Sequence, residues 1–193
     1  MEVEMRISHC GILFVGLALF STTSARAAPE TIRMPYGLTK TALLPNGLDG
    51  TAVLARRASH DAQGFDVLTV YVQQTTSESD PYGFLLVPFF DKDKERLEVT
   101  TGGNAECQVR GFRMLRTDSK DVQVVTAERD PGKGMSDFAK VTFKYFEIVH
   151  NPNGPGRPTY YFEAKKTVAA KETYCDVDEA FKVELNLDPY QAD

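Results

Sequence analysis

Outside the first thirty residues the chain carries few side chains able to do covalent or metal chemistry: His60 and His150, and Cys107 and Cys175. A histidine-rich zinc hydrolase needs three protein ligands around the ion, and two histidines fall short of that. His150 ends an alternating run and reads as a structural residue. His60 sits in Arg56-Arg57-Ala58-Ser59-His60-Asp61, which puts two cations, an imidazole and a carboxylate in one short turn. Such charge clusters at strand ends are common and contribute little energy.

Acyl-enzyme chemistry of the serine β-lactamase kind needs Ser-x-x-Lys, and no serine here has lysine three positions on. Thr117-Asp118-Ser119-Lys120 has the spacing with the wrong nucleophile and reads as a turn. There is no Gly-x-Ser-x-Gly elbow and no phosphate-cradling glycine loop. Asp91-Lys92-Asp93-Lys94-Glu95 intersperses lysines that would repel calcium, and Asn46-Gly47-Leu48-Asp49-Gly50 offers too few carboxylates. Both read as turns. These residues name no reaction and no cofactor.

Cys107 and Cys175 are an even pair, and an oxidising compartment favours their bonding to each other. Closing a loop of roughly 70 residues would stabilise the fold by about 4 kcal/mol on the chain-entropy argument. The first residues point to such a compartment. The apolar run Gly11 to Phe20 is followed by Ala25-Arg26-Ala27, the pattern of a secretory signal cut after Ala27. The run falls short of the ~20 residues that span a bilayer as a helix. Glu2 and Glu4 make the start acidic, and initiation at Met5 would restore a basic amino end. Cys10 precedes the apolar run and would be discarded with it.

These features divide the 193 residues into a signal, 1–27, and one domain, 28–193. The net charge of −5 survives cleavage, because Glu2 and Glu4 cancel Arg6 and Arg26. A modestly acidic chain has no long-range attraction for nucleic acid or anionic lipid.

The elements that would position any site are strands. Short β-branched and aromatic runs separated by Gly, Pro, Asn and Asp predict an antiparallel, mainly β, sandwich-like domain. Thr51–Arg57 is the first clear strand, and Phe65–Gln73, apolar on both faces, is a central one. Tyr82–Phe90 contains Pro88, which predicts a sheet edge or bulge. Arg96–Thr100 is a further short strand. Cys107–Leu115 and Val122–Arg129 form a hairpin. In Lys140–His150, Val141, Phe143, Tyr145 and Glu147 face one way, and Thr142, Lys144, Phe146 and Ile148 the other. A Pro/Gly-rich tip, Asn151–Pro158, leads to Tyr160–Lys165. The aromatic side chains there read as cross-strand packing. The period then switches: Val177, Phe181 and Leu185 recur every four residues after Asp176, predicting one helix stopped by Pro189.

Several stretches resemble the CarG-like carbapenem intrinsic-resistance proteins, a family of exported bacterial proteins. They are Val53–Arg57, Ala62–Val67, Gly102–Cys107, Ala127–Asp130, Pro155–Phe162 and Tyr174–Phe181, in order along the domain and enclosing both cysteines. After the arginine pair the family pattern carries Asn and an Ala-His step, where this chain has Ser59-His60-Asp61-Ala62-Gln63. The resemblance implies a periplasmic protein that protects against a β-lactam without hydrolysing it. A carboxylate-bearing drug would reward cationic, hydrogen-bonding contacts, and Arg56, Arg57, His60 and Arg157 are the candidates. The alternative is an envelope protein-interaction module, an inhibitor or assembly partner, that uses the hairpin tip and the edge near Pro88.

Overall fold

The structure, a computed structural model, describes residues 29–58, 64–73, 83–104, 106–134 and 136–188. The expected signal at 1–27 and His60 lie outside them. In chain order the elements are β1 (Glu30–Thr31), β2 (Gly37–Ala42), β3 (Asp49–Arg57), β4 (Phe65–Gln73), β5 (Phe84–Leu86), β6 (Phe89–Asp91) and β7 (Lys94–Arg96). β8 (Val99–Thr100), β9 (Gly102–Gly103), β10 (Gln108–Arg116), β11 (Val122–Arg129), β12 (Ala139–His150), β13 (Tyr160–Tyr174) and α1 (Val177–Leu185) follow. No helix among the described residues is long and apolar enough to cross a membrane.

The strands form two sheets. The large one runs β1-β10-β11-β12-β13-β6-β7 with β9 beside β10, and the small one runs β2-β3-β4-β5 with β8 beside β4. All pairings are antiparallel except that of β13 with β6. The domain is thus the mainly β, sandwich-like fold expected, with one helix among the described residues.

Alternation along the long strands explains how two layers of core arise. In β10, β11 and β12 the even-numbered residues face the small sheet, where Phe112, Met114, Val122, Val124 and Phe146 join Leu54, Leu68, Val70 and Val72. Odd-numbered residues face outward, and Leu115, Val125, Ala127, Val141 and Phe143 pack against Val177, Ala180 and Phe181 of α1. β4 has the bounds expected, but only one of its faces, Asp66, Leu68, Val70 and Val72, is fully buried.

β13 serves both layers by changing phase. Phe146 pairs with Ala164 and Tyr145 with Lys166, which leaves Lys165 as an extra residue in a bulge. Before it, Tyr160, Phe162 and Ala164 pack inward. After it, Ala170 and Tyr174 pack outward under the helix. The strand is correspondingly longer than the Tyr160–Lys165 run its aromatic residues suggest.

The segment 84–103 departs most from expectation. β5 belongs to the small sheet, β6 and β7 to the large, β8 to the small again and β9 to the large. Pro88 stands in the first of these crossings, between β5 and β6, and not at an outer edge. Val87 still donates to Val70 O, and the Pro88 carbonyl accepts from Phe162 N at 2.8 Å. Proline's missing N–H costs nothing where the chain is changing partners.

A single nine-residue helix covers the outer layer, so polar and covalent ties secure it. Cys107 and Cys175 lie at disulfide distance, with Cα atoms 5.5 Å apart. Asp176 caps α1 by accepting from Asp178 N, and it also accepts from Gln108 N. Arg113, wholly buried, donates to Asp188 O and Phe112 O, pairs with Asp178 at 2.9 Å, and lies over the Phe181 ring. Tyr174 donates to Glu184, and burial pushes its phenol up to about 12. The helix ends at Asn186, whose left-handed conformation turns the chain so that the next N–H, that of Leu187, reaches Phe181 O. That cap, three residues before Pro189, is what stops it.

Candidate functional site

The inner face of the large sheet changes character along its length. At one end Met114, Val124 and Phe146 lie side by side across three strands and are buried, with Ala164 the next partner on β13 and the buried Phe162 two residues before it. Two rows further along the register, Arg110 stands opposite Glu128 and Glu128 opposite Thr142, with Thr126 opposite Lys144 in the row between. All occupy positions whose strand phase points toward the core. Polar side chains there need water or a ligand, because an apolar layer would leave them unpaired.

The small sheet does not close over this end. The crossing segment 96–100 arches across it and leaves a cleft of about 470 Å³ between Arg96–Thr100 and the strands carrying Arg110, Thr126 and Glu128. A smaller hollow of about 40 Å³ continues inward to Phe89, Thr142 and Phe146. The two adjoin, sharing Arg96, Val99, Thr126 and Glu128 in their linings, and together make up the recess. Its floor is apolar (Phe89, Val99, Phe146) and its walls are polar, which is how small-molecule sites are commonly built.

The charges are arranged in two tiers. Lys144 is bound to Asp91 inside the recess, and the hydrogen bond from its ammonium holds the Asp91 carboxyl below the usual carboxylate range. At the rim, Arg96 and Glu98 stand on one wall, and Arg110 and Glu128 on the other, all four exposed. Arg110 lies along β9: a Cβ on Gly102 would come within 2.8 Å of its Nη2.

The arginines singled out from the sequence lie elsewhere. Arg56 and Arg57 end β3 in the small sheet. Arg56 pairs with Asp66 at 3.4 Å and donates to the Tyr36 hydroxyl, while Arg57 lies 5.2 Å over the Phe65 ring. Arg157, in the loop before β13, pairs with Glu163, donates to Lys92 O, and stacks on Phe90 and Tyr161 at 4.6 and 5.1 Å. His60 lies outside the described residues. Arg56–Arg57, at the end of a small-sheet strand, and Arg157, in a loop of the large sheet, therefore have different named partners. Lys165 and Arg157 together hold the Glu163 carboxyl low, the hydrogen bond from Lys165 being the larger cause.

The recess is not legible in the sequence because its residues come from six strands, β6, β7, β8, β10, β11 and β12. A signal was nonetheless present: Thr126 and Glu128 continue the inward phase of Val122 and Val124, and Thr142 and Lys144 precede Phe146 and Ile148 in the same phase. Polar residues on a core phase mark a place where the core stops.

The architecture is that of a two-sheet antiparallel sandwich, with a helix tied to its outer face and a polar recess at one end of its inner face. Among solved structures it is similar to the crystal structure of CarG, with a TM-score of 0.67 and 20% identity over 79% of this chain and 94% of that one. The chain has a CarG-like fold. No family model and no curated protein matches it.

Proposed function

We propose that the chain is an exported, non-enzymatic periplasmic protein that protects against a β-lactam by binding the drug or shielding its target. The observation that carries this reading is the likeness of fold to CarG along 94% of that chain, together with the ordered motifs that resemble the carbapenem intrinsic-resistance family. The cysteine pair at disulfide distance supports an oxidising compartment. Arg56, Arg57, His60 and Arg157 remain proposed contacts for a drug carboxylate. The test is expression in a carbapenem-sensitive bacterium with and without residues 1–27, measuring the inhibitory concentration and recovering the drug. A rise in tolerance that needs residues 1–27 and leaves the drug intact supports the reading. No rise, or hydrolysed drug, overturns it.

A second reading, an envelope interaction module, is favoured by one feature: Leu38 on the edge strand β2 is 73% exposed. Pull-down from periplasmic extract by the wild type but not by Leu38→Lys would favour it.

A further inference from the structure

We infer that the recess between β7–β8 and β10–β12 is a binding site for a zwitterionic small molecule, one carrying a carboxylate and an ammonium on a compact apolar body. Size comes first. The cleft of about 470 Å³ lies in the range of small-ligand pockets, Leu97 and Val99 give it apolar lining, and Phe89 and Phe146 line the small hollow that adjoins it.

Charge then narrows the class. Each wall presents one guanidinium and one carboxylate, Arg96 with Glu98 and Arg110 with Glu128. The inner pair Lys144–Asp91 is satisfied within itself. The site therefore has no net charge, and a simple anion gains from two arginines what it loses to two carboxylates. A ligand with both signs meets an opposite charge at each end, and the low-dielectric floor strengthens both contacts. The Arg110 guanidinium lies beside Gly102 of β9, where the missing Cβ leaves it room.

Calorimetric titration of the purified oxidised protein tests this with two matched pairs of probes. Ampicillin differs from benzylpenicillin only by an ammonium, and N-acetylation of the dipeptide of phenylalanine and glycine turns its ammonium into a neutral amide while keeping its carboxylate. The penicillin arms rest on the function proposed above, and the dipeptide arms rest on the recess alone. The zwitterion of a pair should bind about tenfold or more tightly than its partner. Glu128→Gln should abolish that preference, and Arg110→Gln should weaken both members. Both positions are exposed, so the variants should melt within a few degrees of the wild type.

Dipeptide binding that depends on Glu128 and Arg110 supports the site even where neither penicillin binds, and that same result counts against the β-lactam reading. Ampicillin binding unchanged in both variants overturns the site and leaves the β-lactam reading standing. Equal affinity within both pairs, or no binding by any of the four probes, overturns the site.

Discussion

The inner face of the large sheet has two ends built on the same strands in the same phase, and they differ in what closes them. At one end Phe89 stacks on Phe162 at 4.8 Å and meets Phe146 edge-on at 5.6 Å, beneath a small sheet that contributes Leu54, Leu68 and Val70. At the other, Thr126, Glu128, Thr142 and Lys144 take the equivalent positions beneath the crossing segment 96–100 and beside Asp91 of β6. The backbone geometry is continuous, so the change is one of side-chain chemistry. Identical strand phase can serve packing at one end and recognition at the other.

The largest effects should fall at the closed end. Phe162 is wholly buried, and Phe162→Ala should cost about 3–5 kcal/mol of unfolding free energy in a urea titration. Reducing the Cys107–Cys175 pair, which spans 68 residues, should cost up to about 4 kcal/mol, and it would act on the outer layer without touching either inner end. A loss of amide protection in α1 and β13 before the inner strands would show this.

Single-methyl exchanges sharpen the contrast. Val124→Thr buries a hydroxyl where Val124 is wholly covered and should cost about 1–3 kcal/mol. The pH dependence of the Lys144–Asp91 pair should be smaller. Its carboxyl lies below the ordinary aspartate value in the folded chain, so it contributes stability above about 4, and this is lost as pH falls through the lowered value. The pair is partly exposed, which limits the loss to about 1 kcal/mol, and Asp91→Asn should remove that slope. Smallest of all should be Thr126→Val at the open end, within about 0.5 kcal/mol of the wild type.

Much of the frame is legible in the residues because long strands repeat their pattern. The alternation in Lys140–His150 assigns faces that the structure retains, Phe65–Gln73 keeps its bounds with one face fully buried, and the even pair of cysteines meets. What escapes is whatever lacks a period. Strands of two or three residues between 84 and 103 show no alternation, so their weaving between sheets cannot be read from them. The bulge at Lys165 is invisible for the opposite reason: Lys165 and Lys166 both suit an exposed strand, and only the partner strand decides which is extra. At the helix end Asn186 turns the chain before Pro189 is reached, a role asparagine can take and proline cannot. The recess combines these difficulties, since its walls come from short strands and its floor from long ones.

The most direct test of the account is an amide chemical-shift map of the oxidised protein titrated with the dipeptide of phenylalanine and glycine. The structure predicts perturbations gathered at 96–100, 110–111, 126–128 and 142–144, with the strands around Phe162 and Val124 unmoved. Perturbations centred on Arg56, Arg57 or Arg157, or none at all, would contradict it.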